Sequence, residues 1–224
     1  MVNRIPFGVD EWYHCFTRGV DKRRTFQSTS DYKRFLQILY LSNSDQATQR
    51  SNFLTMQHEK ILSQKRGQPL VSIGAYCIMP NHFHILLQEI KEGGIARFMQ
   101  KVGISYAMYF NIKNQRIGNL FVKPFRSRHI ADDQYLRYVA QYIHLNPAEL
   151  FDRNWKSAGA KNIQKMDADL RKYPYSSLYD YYEVVRPERS ILSPQAMDVI
   201  SDDLPSLASV LAEAAEYYSE IKLV

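Results

Sequence analysis

Residues 70–90 read "LVSIGAYCIMPNHFHILLQEI". Two apolar runs flank Pro80 and Asn81, a pair typical of tight turns, so the pattern predicts two antiparallel strands joined by a short turn. The second strand is unusual because it carries His82 and His84 two residues apart. Residues i and i+2 of a strand lie on the same face, so both imidazoles should point in the same direction.

The rest of the sequence predicts a β-α-β-β-α-β order followed by a further helix. Helices are predicted where apolar residues recur at helical spacing, and strands where apolar and aromatic runs end in turn residues. Outside the hairpin, the predicted elements are a strand at 11–19, a helix at 28–43, a helix that begins after Gly93 and Gly94, a strand at 120–130 and a helix at 134–146. Pro124 should confine the strand at 120–130 to a sheet edge or a bulge. This order is typical of a ferredoxin-like α+β sandwich, here with an added C-terminal helix and a helical tail.

The composition is that of a folded domain: 224 residues, of which 45% are hydrophobic and 23% charged. We expect one domain over residues 1–183, with a polar insert at 42–69, and an acidic helical extension over 184–224. Without an apolar run of about 18 residues or an export signal, the sequence predicts a cytoplasmic protein with no membrane partner. Cys15 and Cys77 lie in apolar stretches and are expected to pack as small hydrophobic residues.

The charge is unevenly distributed along the chain. In total there are 29 basic and 23 acidic residues, a formal charge of +6. From Asp198 onward the chain has six acidic residues and one basic residue, so the preceding part holds 28 basic and 17 acidic residues, a charge of +11. A charge of this size before Asp198 indicates a polyanionic partner, and nucleic acid is the leading candidate. The alternative is a basic surface that is only exposed to solvent.

A second pair of residues lies in the helix predicted at 134–146. Tyr142 and Asn146 are four residues apart and therefore share one helical face. An amide oxygen can complete a metal site built on two histidines, and a tyrosine one turn away can reach an electrophile bound to that metal. The simpler readings are histidines that only form hydrogen bonds beside a turn, and a tyrosine that packs like most of the 16 in the chain. The combination of both pairs is what indicates a site.

These residues resemble the single-tyrosine HUH transposases, in particular the REP-associated tyrosine transposase branch. The resemblance follows six motifs in order: "YHCFTRGVDKRRTF" at 13–26, "DYKRFL" at 31–36, "MPNHFHILL" at 79–87, "GNLFVKPFRS" at 118–127, "YLRYVAQYIHLNP" at 135–147 and "YPYSS" at 173–177. It implies that His82, His84 and Asn146 bind a divalent metal and that Tyr142 is the nucleophile.

The resemblance implies a metal-dependent endonuclease and strand transferase that cuts and rejoins single-stranded DNA at hairpin-flanked sites. Tyr142 would form a 5′-phosphotyrosine and release a 3′-hydroxyl. The cofactor would be Mg²⁺ or Mn²⁺, and two imidazoles with one amide favour Mn²⁺. The implied partner is single-stranded or hairpin DNA, and the assembly is a homodimer or a monomer, since both occur among relatives. The alternative is a domesticated module that binds hairpin DNA or RNA without cutting. A histidine-pair phosphoesterase is disfavoured because the sequence lacks a second H-x-[ST] element.

Four basic residues are predicted to contact DNA. Arg18 follows the first strand, and Lys123, Arg126 and Arg128 lie along the fourth. Because Arg126 and Arg128 alternate, they should share a face suited to tracking a phosphate backbone. The alternative for each of them is ordinary solubilising charge. Tyr106, in the second helix, keeps apolar spacing and is expected to pack in the core.

Overall fold

The computed structural model describes residues 6–46, 56–155, 162–182, 185–202, 206 and 209–210. Its sheet has four strands: β1 (Trp12–Arg18), β2 (Ser72–Ile78), β3 (His82–Gln88) and β4 (Arg126–Ile130). The order across the sheet is β2-β3-β1-β4, and every neighbouring pair is antiparallel. The described α-helices are α1 (Thr29–Ser42), α2 (His58–Leu62), α3 (Gly94–Lys113), α4 (Asp133–Leu145), α5 (Ala148–Phe151), α6 (Ile163–Arg171) and α7 (Pro194–Ser201). The predicted ferredoxin-like α+β fold with an added helix, α4, is confirmed.

The sheet separates two apolar cores. On one face, α1 and α3 pack together over the side chains of Phe83 and Ile85. On the other face, α4 packs against Leu86 and against β2. Because side chains alternate along a strand, His82 and His84 lie on the same face as Leu86 and α4. The fold therefore brings the predicted histidine pair and the helix of Tyr142 to one side of the sheet.

The turn between β2 and β3 is held by the segment that follows β1. The backbone amides of Thr25 and Phe26 both donate to the carbonyl oxygen of Pro80, at 2.9 and 3.0 Å. The amide of Gly19 donates to the carbonyl oxygen of Asn81 at 2.7 Å. These bonds fix the start of β3, where the histidine pair begins.

The fourth strand is shorter than the 120–130 run predicted from the sequence. It starts at Arg126, two residues after Pro124, and Phe121 forms only an isolated bridge with Gly19. Proline has no N–H to contribute to a strand ladder, so pairing can resume only beyond it. Of the two positions predicted for this strand, an edge or a bulge, the structure shows the edge, since β4 is the last strand of the sheet.

Helix α4 has the boundaries that its capping residues predict. The side chain of Asp132 accepts a hydrogen bond from the amide of Tyr135 at 2.7 Å, and Asn146 is the C-cap. The chain nevertheless keeps helical backbone angles through Asn146 and Pro147, and α5 begins at once. A proline is tolerated in the first turn of a helix, so Pro147 divides two helices here without turning the chain away.

The chain after α6, described over residues 173–182 and 185–193 and called the C-terminal segment below, packs along the free edge of β2. The amide of Ile78 donates to the carbonyl oxygen of Tyr175, and the amide of Ser193 donates to that of Ile73. Ile191 is fully buried in the same segment. Part of the expected 184–224 extension thus packs into the core, and the boundary after residue 183 remains a prediction; most of the predicted helical tail beyond residue 202 lies outside the described residues.

Helix α2 lies inside the predicted polar insert, of which residues 47–55 fall outside the described part. Cys15 and Cys77 are buried free thiols, as predicted. Tyr106 is fully buried in the α1–α3 core, where its hydroxyl donates to the carbonyl oxygen of Thr25 at 2.7 Å, so its packing role is confirmed. None of the described helices is both long and apolar enough to cross a membrane.

Candidate active site

The two predicted histidines face one cleft. The ring centroids of His82 and His84 lie 5.1 Å apart, and both rings line a cavity of about 300 Å³. Arg18 and Arg126 line the same cavity. His84 lies deeper, since only 7% of it is exposed. Two imidazoles are thus brought together beside two arginines.

The ring of His82 is oriented by its neighbour in the turn. Its Nδ1 lies 2.6 Å from the side-chain oxygen of Asn81. Because that oxygen can only accept, Nδ1 carries the proton and Nε2 carries the lone pair. A histidine held in this way is in the tautomer that binds a metal ion through Nε2.

A third histidine, which the sequence analysis did not select, contacts the pair. Nε2 of His14 lies 2.8 Å from Nδ1 of His84, and the two rings are stacked with centroids 5.0 Å apart. Register explains the contact, because Phe16, two residues along β1, pairs with His84. If Nδ1 of His84 donates in this bond, the lone pair of His84 is on Nε2, as in His82.

His14 is neutral in its buried position. Burial and the nearby charge of Arg128 lower the pKa of His14 to about 3. The Nε2 of a neutral imidazole can accept a hydrogen bond from the Nδ1–H of His84. Its Nδ1 is buried without a hydrogen-bond partner among the described residues, so the bond to His84 is its one described side-chain anchor.

Tyr142 lies over the histidines from α4. Its ring is edge-on to both, with centroid distances of 6.0 Å to His14 and 6.5 Å to His84. The residue is only 2% exposed. The candidate nucleophile is therefore next to the candidate metal ligands but covered, so DNA would have to displace part of this packing to reach its hydroxyl.

Asn146 lies one helical turn after Tyr142 and is also buried. Its amide nitrogen donates to the carbonyl oxygens of Tyr142 and Ile143 at 3.2 and 3.1 Å. The side chain therefore folds back along α4 in this state. Among the described residues, no group of three or more His, Cys, Asp or Glu side chains could hold a metal ion. A third protein ligand from that region would have to be of another type, such as an amide oxygen.

The predicted DNA-contacting cations do not all reach one place. Arg18 and Arg126 line the histidine cleft, together with Lys22, which the sequence analysis missed. Arg128 shares the face of Arg126, as predicted, and its guanidinium lies 5.8 Å from the ring centroid of Tyr135. Lys123 lines a neighbouring cleft instead. The signal for Lys22 was present in the sequence, because it follows the first strand in a run of basic residues.

Comparison with known proteins bears on the family of the chain. A four-stranded antiparallel sheet with a histidine pair facing an added helix is what the resemblance to transposases implied. Residues 38–146 match the family model "Transposase IS200 like", and this segment contains His82, His84, Tyr142 and Asn146. The resemblance to this family of DNA-processing enzymes is confirmed.

One solved structure is similar along most of its length. It is described as "Structure of the REP associates tyrosine transposase bound to a REP hairpin". The identity is 12% and the TM-score 0.49, and the alignment covers 84% of this chain and 89% of that chain. No curated protein matches the chain at a significant level.

Proposed function

We propose that the protein is a metal-dependent single-stranded DNA endonuclease and strand transferase that uses Tyr142 as its nucleophile. The observation that carries the proposal is the position of the Tyr142 ring, 6.5 Å from that of His84, above a cleft lined by two histidines and two arginines. The family match over the same residues supports it. The proposed substrate is single-stranded DNA at a hairpin-flanked site.

The reaction exchanges one phosphodiester for another. The Tyr142 oxygen attacks the scissile phosphorus, and the bond from phosphorus to the 3′-oxygen breaks. The products are a 5′-phosphotyrosine and a free 3′-hydroxyl, which in the net balance receives the proton lost by the phenol. Attack by a 3′-hydroxyl on the phosphotyrosine reverses the step and joins strands without any nucleotide cofactor.

A divalent cation fits the histidine cleft. Asn81 holds His82 in the tautomer with its lone pair on Nε2, and His14 can hold His84 in the same way. Asn146 keeps an amide oxygen that neither of its two described hydrogen bonds uses, and it would supply the third ligand. Mg²⁺ or Mn²⁺ bound there would polarise the scissile phosphate and stabilise its developing charge. Arg18 and Arg126 would orient the phosphate from the cleft wall.

A second function, binding of hairpin DNA or RNA without cleavage, is favoured by one observation. Tyr142 is 2% exposed, and Asn146 turns its amide nitrogen into its own helix. In a binding module this arrangement would be permanent. In the enzyme it is a resting state, since catalytic contacts often tighten only when substrate binds.

The two functions are separated by Tyr142→Phe. The change removes one oxygen and keeps the ring, so we expect DNA affinity to stay within about twofold while the covalent protein–DNA adduct disappears. The measurement uses labelled hairpin DNA with a single-stranded extension and Mn²⁺, followed by denaturing electrophoresis. Tyr138→Phe, one turn earlier on α4, is the matched control and should leave the adduct unchanged.

His82→Ala tests the metal part of the same proposal. It should also abolish the adduct, and excess Mn²⁺ should restore part of it, because the remaining ligands still bind the ion weakly. A Tyr142→Phe protein that keeps forming the adduct would refute the assignment of the nucleophile. A wild-type protein that binds the hairpin but never forms an adduct would favour the binding module.

A further inference from the structure

A second cleft lies on the other face of the sheet, between α3 and the chain that leads into β4. Its volume is about 560 Å³, larger than that of the histidine cleft. Its apolar lining includes Phe83, Met99 and Phe121, all at most 5% exposed. This cleft is not used by the chemistry proposed for Tyr142.

The second cleft adjoins the first. Thr17, Val122 and Pro124 line both of them. The hydroxyl of Thr17 donates to the carbonyl oxygen of Val122 at 2.9 Å, which fixes the segment between the clefts to β1. A strand bound at the histidines therefore needs to pass only the Val122–Pro124 segment to reach the second cleft.

Gly103 keeps the second cleft open. It lies in the interior of the 20-residue helix α3, where glycine is less favourable than alanine. Close packing does not require it, because a Cβ built at Gly103 meets no heavy atom within 4 Å in the described part of the chain. The space beside this glycine is therefore part of the cleft, and a larger side chain here would fill it.

The rim of the cleft combines apolar surface with polar and cationic groups. Ile104 is 55% exposed and Val122 is 37% exposed, so both present apolar surface to solvent. Gln100 and Asn119 place exposed side-chain amides on the rim, and Lys123 adds a positive charge. A ligand that suits this lining has flat apolar faces, a hydrogen-bonding edge and a negative charge attached to it.

We propose that this cleft binds an unpaired nucleobase of the DNA strand whose phosphate lies at the histidine pair. Base faces bind to apolar and aromatic side chains, and base edges pair with the amides of Asn and Gln. Lys123 would contact the adjoining phosphate. The inference rests on the proposed function, and it gives Lys123 a place in DNA binding although that residue lies outside the histidine cleft.

The test compares two probes that have the same phosphates. One is a fluorescent 20-nucleotide oligo(dT), and the other is a 20-unit abasic oligomer without bases. The wild-type protein should bind oligo(dT) about tenfold more tightly than the abasic strand at the same salt concentration. Gly103→Leu should remove most of this preference and leave the affinity for the abasic strand unchanged. Its Tm should not fall, because leucine is a better helix former than glycine.

Two further variants make the result specific. Met108→Phe enlarges an exposed side chain on the same helix outside the cleft lining and should keep the wild-type preference. Ile104→Ser removes apolar surface from the rim at an exposed position that does not endanger folding, and should reduce the preference by about threefold. If Gly103→Leu does lower the Tm, the preference measured with Ile104→Ser is used to decide whether the cleft binds a base.

Several outcomes would overturn the inference. One is an equal affinity of the wild-type protein for both probes, and another is a preference that survives in both Gly103→Leu and Ile104→Ser. A third is a Gly103→Leu protein with an unchanged preference but an altered oligomeric state in sedimentation, which would make the cleft an interface between copies. Because binding needs no cleavage, a wild-type protein that forms no adduct in the Tyr142 experiment is a separate failure that leaves this measurement valid.

Discussion

His14 joins the N-terminal strand to the candidate metal site. It is 1% exposed, and its described side-chain hydrogen bond goes to His84. A hydrogen bond to the second nitrogen of a metal-binding imidazole fixes both the tautomer and the ring orientation. His14 is thus a positioning residue in the proposed mechanism, as Asn81 is for His82.

Replacement of His14 should weaken metal binding and leave DNA binding in the absence of metal unchanged. The leucine of His14→Leu cannot accept a hydrogen bond from His84, so we expect Mn²⁺ affinity to fall about 10- to 100-fold, as measured by calorimetry or by the spin resonance of free Mn²⁺. His14→Gln offers an acceptor oxygen and should recover part of the loss. DNA binding without metal should be unaffected in both.

The control for this prediction is His129→Ala. His129 lies on β4, next to β1, and its side chain is exposed. Its Nε2 lies 2.7 Å from a carboxylate oxygen of Glu11, and neither residue lines the histidine cleft. It should leave Mn²⁺ affinity unchanged. Equal Mn²⁺ affinity of wild-type, His14→Leu and His14→Gln proteins would show that His14 only fills space under α4.

Sequence spacing predicted the two pairs of site residues that lie close together along the chain and missed His14, which lies far along the chain from its partner. His82 with His84 and Tyr142 with Asn146 are two and four residues apart, so strand and helix periods place each pair on one face. His14 is 70 positions from His84, and their contact depends on the register between β1 and β3. That register results from packing across the whole sheet, which no local pattern encodes.

At the level of elements, the β2–β3 hairpin and α4 followed directly from local sequence, whereas β4 did not. The hairpin has its turn residues, and α4 has Asp132 before it and Pro147 after it. The apolar run that begins at Leu120 suggested a longer strand, but Leu120 and Phe121 are buried in the α1–α3 core and β4 starts only at Arg126. A buried apolar run satisfies a strand pattern without being a strand.

β4 nevertheless places its two arginines on one face, as predicted. Arg126 pairs in register with Phe16 and Arg128 with His14, so both lie on the face of the histidine pair. Arg126→Ala/Arg128→Ala should weaken single-stranded DNA binding and make the slope of log K against log salt shallower by about 1.4, since each phosphate contact on a single strand contributes about 0.7. The measurement is a salt titration of the affinity for oligo(dT).

A matched pair of charges tests whether position matters. Lys33 in α1 and Lys60 in α2 are exposed, and α1 lies on the opposite face of the sheet. Lys33→Ala/Lys60→Ala removes the same net charge, and the slope should stay as in the wild-type protein. Equal changes in the two double variants would mean that only total charge attracts DNA, and that β4 has no special role.

Across the whole molecule, the site depends on more chain than the family match covers. The match spans residues 38–146, but β1, with His14 and Arg18, precedes it, and the segment that closes over β2 follows it. His144 in α4 shows the connection, because its Nε2 lies 2.9 Å from the hydroxyl of Ser177 in that segment. The C-terminal segment thereby helps to hold α4, and with it Tyr142, over the sheet.

Arg186 holds this segment together and links it to β2, since it donates to the hydroxyl of Tyr76 at 3.2 Å. It makes two hydrogen bonds of 2.7 Å to the carboxylate of Asp180, which is fully buried, and donates to the carbonyl oxygens of Pro174 and Ser176. Burial raises the pKa of Asp180, and the hydrogen bonds from Arg186 offset this only in part. The carboxylate is therefore tolerated in the core because of its partner.

Loss of Arg186, the partner of Asp180, should lower the stability of the protein. Arg186→Leu leaves a buried carboxylate unpaired, and we expect the free energy of unfolding at pH 7 to fall by about 3–5 kcal/mol, measured by chemical denaturation. Loss of Arg186 removes the hydrogen bonds and the charge that lower the pKa of Asp180, so this pKa rises further in the variant and protonation favours its folded form. The deficit should accordingly shrink as the pH falls towards about 4, the ordinary range of a carboxyl group. Asp180→Asn in the Arg186→Leu background should recover part of the loss at pH 7.

The control is Arg171→Leu, which breaks a partly exposed pair with Asp167 and should lower the free energy of unfolding by less than about 1 kcal/mol. A similar small loss for Arg186→Leu, or one that does not change with pH, would show that Asp180 is not charged in the core and that Arg186 is not what fastens the segment.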